Sequence, residues 1–221
     1  IINDLIKKHY RRKKMNSKWN NQMMNAFKAI IKTDENIKEI FEKFGYPENR
    51  SIPEGFESLT KIIIGQQIST NVAKKIYTKL RDKNILNERT LSKMSHEELK
   101  SFGLSSQKSN YIKNLASLVH KKELDLTILS KINSDDIDEI LIKVKGIGKW
   151  TINNYKIFAL QNVDAWPTAD LALQEAMKLI KKLSYRPAEN EMEVIGDKWK
   201  PYRGAGALFL WHYYNSIKFS K

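Results

Sequence analysis

Residues 134–151 read Ser-Asp-Asp-Ile-Asp-Glu-Ile-Leu-Ile-Lys-Val-Lys-Gly-Ile-Gly-Lys-Trp-Thr. Ser134 has the chemistry of a helix N-cap, and Ile137, Ile140, Leu141 and Val144 recur behind it at helical spacing. Gly146 and Gly148 interrupt that pattern. A second apolar-periodic run starts at once, through Trp150, Asn154, Ile157, Phe158 and Leu160. The spacing therefore predicts helix, tight glycine turn, helix over about residues 134–160.

Glycines one residue apart allow left-handed or crowded backbone. They also clear side chains from the start of the second helix, whose first N–H groups lack intrahelical partners and carry the positive end of the helix dipole. An anion suits that position, and the flanking Lys145 and Lys149 suit a phosphate. Taken alone, a Gly-x-Gly is satisfied more simply by an αα-hairpin whose glycines only make the turn.

Three further stretches narrow the choice. They are Phe-Glu-Ser-Leu-Thr-Lys-Ile-Ile-Ile-Gly-Gln-Gln-Ile-Ser from Phe56 to Ser69, Asp-Ala-Trp-Pro-Thr-Ala-Asp-Leu-Ala-Leu from Asp164 to Leu173, and Trp-Lys-Pro-Tyr-Arg from Trp199 to Arg203. With Gly146-Ile147-Gly148-Lys149-Trp150-Thr151 and the Asp about twenty residues beyond it, the chain resembles the helix-hairpin-helix (HhH-GPD) DNA glycosylases. Within them it is most similar to the alkylpurine branch, the 3-methyladenine DNA glycosylase II type, over roughly residues 55–215.

The resemblance implies an all-α, two-lobed fold. Residues 1–54 with 165–221 would form one lobe, residues 55–164 the other, and the active cleft would lie between them. Relatives often carry an N-terminal β-rich domain. Here the residues before the match read as helices, and that domain is expected to be absent.

Helical periodicity supports the all-α class. Ser17–Thr33 carries Trp19, Met23, Ala26, Phe27 and Ile30 on one face, and Asp34 caps a second helix to Phe44 with Gly45 as its stop. Helices are also predicted for 56–68, from Ser69 or Thr70 to Lys83, and behind the Ser95–Glu98 capping box to Gly103. Others are expected for 107–121, from Asp170 to Leu183, for 191–199 and for 203–215, giving about ten helices and no strand.

Composition bounds the chemistry. The 221 residues, 41% hydrophobic, suffice for one large domain or two small lobes. No apolar run approaches the ~20 residues of a membrane span, and the opening residues are too polar for a signal peptide. With no cysteine, disulfides, Cys-ligated zinc and iron–sulfur clusters are excluded. His9, His96, His120 and His212 show no ligand spacing. A formal charge of +14 favours a polyanionic partner. Residues 1–18 set Lys7, Lys8, Arg11, Arg12, Lys13, Lys14 and Lys18 against Asp4, which suits either a basic arm on phosphates or a solvated end.

The resemblance assigns roles residue by residue. Asp170 matches the catalytic carboxylate, although its position also suits a plain N-cap, and Asp164 is the weaker rival. Trp150 and Trp211 match aromatic positions of the base pocket, with Asn154 and Tyr155 beside them, although tryptophans at such positions are as often core residues. Gly146, Ile147, Gly148, Lys149, Thr151 and Lys145 would meet DNA at the hairpin. Gln66 and Gln67 would do so on the loop that enters the minor groove, with Gln67 at the intercalating position. Relatives that also cut the strand place a Schiff-base Lys where this chain has Trp150. A monofunctional enzyme is therefore expected, leaving an abasic site.

The main-chain carbonyls of Ile142, Val144 and Ile147 match a site for a monovalent cation, Na+ or K+, and no organic cofactor is expected. The implied partner is double-stranded DNA with alkylated purines such as 3-methyladenine and 7-methylguanine, bound by a monomer without membrane association. The compartment would be the cytoplasm or nucleoid of a bacterium or the nucleus of a eukaryote. A non-catalytic helix-hairpin-helix DNA-binding protein, and a glycosylase for oxidised or deaminated bases, stand as the alternatives.

Overall fold

The computed structural model describes residues 19–218. The basic stretch at 1–18 lies outside the described residues. Among those described there are twelve α-helices and one 3-10 turn, and no strand. The chain divides into two compact units. A terminal unit takes the described residues up to Ser51 together with those from Gln161 onward, and a central unit takes Ile52–Leu160.

The terminal unit opens with α1 (Asn21–Thr33) and α2 (Glu35–Phe44). Helix α1 begins at Asn21, where the Asn20 side chain accepts from Met23 N at 2.8 Å and caps it; the expected start at Ser17 lies outside the described residues. Asp34 caps α2 by accepting from Ile37 N at 3.1 Å, and Gly45 ends it at φ 79°. Further along the chain come α10 (Leu171–Ile180), α11 (Glu189–Asp197) and α12 (Arg203–Lys218). Helix α12 packs on α1, α2 and α10. Rings supply much of this core: Phe27 stands edge-on to Trp19 and to Phe209, with centroids 5.9 and 5.2 Å apart.

The central unit holds α3 (Phe56–Gly65), α4 (Thr70–Asp82), α5 (Glu88–Lys93), α6 (His96–Ser101) and α7 (Ser106–His120). The 3-10 turn (Leu126–Lys131) follows, then α8 (Ser134–Leu141) and α9 (Lys149–Phe158). Helix α3 packs on α4, α7 and α9 around Leu59, Ile63, Leu80, Ile112, Leu115 and Tyr155.

Several boundaries differ from the sequence pattern. Helix α3 ends at Gly65, not Ile68, because Gln66 turns extended and Gln67 is left-handed at φ 55°. The cap of α8 is Asn133, whose side chain accepts from Asp136 N at 2.9 Å; Ser134 is the first helical residue. Val144 and Leu160 lie beyond their helices. Helix α10 stops at Ile180, short of Leu183, and α11 spans Glu189–Asp197 in place of 191–199. Helix α12 runs on past Asn215 to Lys218.

Candidate active site and nucleic-acid interface

In the terminal unit Asp170 caps α10. Its Oδ1 accepts from Ala172 N, Leu173 N and the Trp211 indole Nε1, each at 3.0 Å. The carboxylate is 9% exposed, and Trp211, on α12, is 8% exposed. Two backbone donors and one side-chain donor from 41 residues away thus fix the orientation of a buried carboxylate. Trp211 is bound into that arrangement through its N–H.

Asp164 has a different environment. Its Oδ1 accepts from Arg203 N and Nε, both at 3.0 Å, and its Oδ2 takes Arg203 Nη2 at 2.7 Å. The fork geometry pairs both oxygens with a guanidinium, and the backbone bond starts α12. The stretch 199–203 is an anchor: its Trp199 donates to Asp34 Oδ2 at 2.9 Å while Arg203 holds Asp164.

The central unit carries the hairpin. Gly146 sits at φ 89°, and a Cβ there would fall within the Tyr111 ring, so only glycine fits. Gly148, extended at φ −109°, faces open space where a Cβ would meet nothing within 4 Å. Gly148 is the N-cap of α9 and offers no side chain to the first N–H groups of that helix. Lys145 and Lys149 are exposed beside it, while Ile147 is buried and roots the turn in the core. The arrangement presents the positive end of a helix dipole and two cations to an incoming anion. Lys156 braces the two helices, donating to Ser134 O at 3.0 Å and Asp138 Oδ1 at 2.7 Å.

The other residues proposed from sequence have these surroundings. Tyr155 is fully buried and its hydroxyl accepts from Gly55 N at 2.7 Å, so it is a core residue and faces no base; burial pushes its phenol above the ordinary value. Asn154, 6% exposed, donates to Trp150 O at 2.8 Å within its own helix. Trp150 is half-buried against the central core. Thr151 is 2% exposed, and its hydroxyl accepts from Gln66. Gln66 itself donates to Gly146 O and Thr151 Oγ1, while its neighbour Gln67 is exposed. An open cavity of about 600 Å3 lies between this loop and the hairpin, lined among others by Gln67, Val72, Gln107, Lys108 and Tyr111.

Ile142 is exposed at the C-cap of α8, and the Val144 carbonyl accepts from Ile147 N at 3.0 Å. No cluster of three or more His, Asp or Glu side chains able to hold a metal ion occurs among the described residues. No helix among them is long and apolar enough to cross a membrane.

The family model described as "HhH-GPD superfamily base excision DNA repair protein" matches residues 60–201, which include the loop, the hairpin, Asp170 and Trp199. The chain belongs to the HhH-GPD superfamily. Among its relatives, DNA-3-methyladenine glycosylase 1 of Schizosaccharomyces pombe is 28% identical over 192 residues, covering 80% of this chain and 82% of the relative. A Bacillus subtilis DNA-3-methyladenine glycosylase is 27% identical over 201 residues, covering 85% of this chain and 66% of the relative. The structure of the S. pombe 3-methyladenine DNA glycosylase in complex with abasic DNA superimposes with a TM-score of 0.79 at 25% identity, covering 85% of this chain and 95% of that one. An HhH-GPD hairpin is thus present with a loop of the same superfamily beside it.

Sequence reasoning missed three supports of the site: the Trp211 bond to Asp170, the Gln66 bridge and the buried amine of Lys108. Each joins residues more than 40 positions apart, beyond any local pattern.

Proposed function

We propose that the protein is a monofunctional DNA glycosylase that extrudes alkylated purines, of the 3-methyladenine and 7-methylguanine type, and hydrolyses their N-glycosidic bond. The observation that carries this is the buried Asp170 carboxylate, oriented by three donors, in a chain whose relatives are named DNA-3-methyladenine glycosylases.

Extrusion of the nucleotide costs a few kcal/mol. As the C1′–N bond breaks, its electron pair leaves with the base, and the sugar becomes cationic in a transition state resembling an oxocarbenium ion. A carboxylate already oriented stabilises that charge without reorganisation. Water then adds at C1′ and gives its proton to solvent, leaving an abasic site. A base alkylated on a ring nitrogen already carries positive charge and departs without a strong proton donor. Trp150 stands where a strand-cutting relative needs an amine, so no Schiff base forms. The aromatic faces of Trp150 and Trp211 suit an electron-poor base.

On this reading the start of α9, with Lys145 and Lys149, holds a DNA phosphate. A Na+ or K+ ion on the carbonyls of Ile142, Val144 and Ile147 would help to fix that turn, since hard oxygen donors suit such ions, and the cleavage step does not pass through it. The protein acts as a monomer at the DNA, in the cytoplasm or nucleoid if bacterial and in the nucleus if eukaryotic.

The test is base release from methylated duplex DNA, run beside duplexes carrying oxidised or deaminated bases, with borohydride trapping of any covalent adduct. Release of methylated purines with no trapped adduct is expected. Tight DNA binding without release, or release only of oxidised or deaminated bases, would overturn the assignment.

A further inference from the structure

Gln66 and Gln67 are adjacent and chemically identical, yet the fold separates them. Gln67 is exposed with a left-handed backbone, a conformation that costs an L-residue of this type about 1–2 kcal/mol. Gln66 turns inward. Its Nε2 has two hydrogens, and two acceptors lie at 2.9 Å, Gly146 O of the hairpin and Thr151 Oγ1 of α9. That amide nitrogen is fully committed and cannot also donate to DNA.

The same loop is held from its other side. Lys108 of α7 is 9% exposed and donates to Ile64 O at 2.7 Å, at the end of α3 where the loop departs. That carbonyl is among the last of its helix and lacks an intrahelical partner. Burial pushes the Lys108 ammonium below its ordinary value. Three residues on, and so on the same face of α7, Tyr111 lies under Gly146, the glycine whose carbonyl Gln66 engages. The contacts close a ring: α7 holds the end of α3 through Lys108 and supports the hairpin through Tyr111, and Gln66 joins loop to hairpin.

We infer that Gln66 is a positioning residue for base extrusion, acting through Gln67 and the hairpin and not by touching DNA. The inference rests on the proposed glycosylase function. The ring sets the separation between the exposed Gln67 and the phosphate-facing turn before DNA arrives. DNA gripped at the turn then meets a loop already at the right depth, and binding energy goes into unstacking the lesion, not into ordering the loop.

The test uses Gln66→Met, which keeps the length of the side chain and removes both hydrogen bonds. Single-turnover release is measured from two duplexes with the same methylated purine, one fully paired and one with the lesion in a mismatch, where unstacking costs less. Fluorescence of 2-aminopurine next to the lesion reports extrusion independently of cleavage. Gln66→Met is expected to slow release from the paired duplex about tenfold, with release from the mismatched one changed less than about twofold, the scale of one or two neutral hydrogen bonds. The 2-aminopurine signal should fall in parallel. Thr151→Val removes one of the two acceptors without changing shape, and is expected to show the same split at about threefold. Together the two changes should cost less than the product of their separate effects, since they share a bond.

Equal slowing on both duplexes, or no slowing on either with an active wild type, overturns the inference alone. A wild type that releases no methylated purine from either duplex overturns the proposed function and this inference with it.

Discussion

Replacing Asp170 separates the cap that its carboxylate forms from the catalytic role proposed for it. Asp170→Asn keeps an Oδ1 in place for Ala172 N, Leu173 N and Trp211 Nε1, so all three hydrogen bonds survive in kind. The negative charge is lost. At the start of α10 that charge contributes about 0.3–1 kcal/mol through the helix dipole, and losing the charge assistance of the bonds brings the expected loss of stability to about 1–2 kcal/mol. Asp170→Ala removes the acceptor itself. The cap is worth about 1 kcal/mol, and the buried indole N–H left unpaired costs about 1–3 kcal/mol more. Stability is therefore expected to fall in the order wild type, Asn, Ala. Catalysis should not follow that order. A charge that stabilises a cationic sugar is absent from both variants, and each is expected to lose about 10²–10³-fold in the rate of base release. Urea denaturation followed by circular dichroism reads the first quantity, and single-turnover release from methylated duplex DNA reads the second. Asp170→Asn within about fivefold of the wild-type rate would refute the catalytic role and leave Asp170 as a cap alone.

The two hairpin glycines are expected to respond oppositely. Gly146→Ala forces a Cβ into the Tyr111 ring at φ 89° and should cost about 2–4 kcal/mol of stability, whereas Gly148→Ala enters open space, should change stability by less than about 1 kcal/mol, and should instead weaken DNA affinity in a salt-titrated binding assay. Trp211→Phe withdraws one donor from Asp170 but leaves the two backbone donors, and is expected to slow base release about tenfold or less, on the scale of one hydrogen bond to a charged group. Asp34 sets a pH dependence of stability. Burial works to raise its carboxyl, but the hydrogen bonds from Lys198, Trp199 and Ile37 N prevail and hold it below the ordinary value. A depressed folded value means the stabilisation is present above the unfolded carboxylate range and lost as pH falls through the folded one. The urea midpoint of the wild type should thus decline below about pH 4, and Asp34→Asn should flatten that part of the profile.

Much of the helical architecture was legible because amphipathic spacing is a local signal. Trp19, Met23, Ala26, Phe27 and Ile30 recur at helical intervals and are all buried, the last four within α1. The six-residue helix α5 escaped notice because it is too short to show a period. The end of α3 was misplaced because Ile62, Ile63, Ile64 and Ile68 continue the apolar pattern through the loop, while what stops the helix is a backbone turn at Gln66 and Gln67. Within the candidate site, residue type pointed to Asp170 and the glycine turn, but the partners were hidden. Tyr155 reads as a pocket aromatic until its hydroxyl is found on Gly55, one hundred residues away. Gln66 reads as a polar residue at a helix end until both its amide hydrogens are found on the hairpin. Such contacts are properties of the fold, and sequence spacing carries no trace of them.

Asp164 and Asp170 are like groups in different environments. Both are carboxylates in one loop, six positions apart, and both accept a hydrogen bond from the start of a helix, α12 and α10 respectively. Asp164 also pairs both oxygens with the Arg203 guanidinium. A carboxylate so matched has its charge largely neutralised, and its field at a nearby sugar would be that of a dipole. The donors to Asp170 Oδ1, two backbone N–H groups and an indole, are neutral. They orient that oxygen, as the role proposed for it requires. Asp164→Asn is accordingly expected to lower stability by about 1–2 kcal/mol through the weakened fork. It should leave base release within about threefold of the wild type, a small change on the free-energy scale of catalysis. Release abolished in Asp164→Asn but retained in Asp170→Asn would reverse the assignment and make Asp164 the catalytic carboxylate.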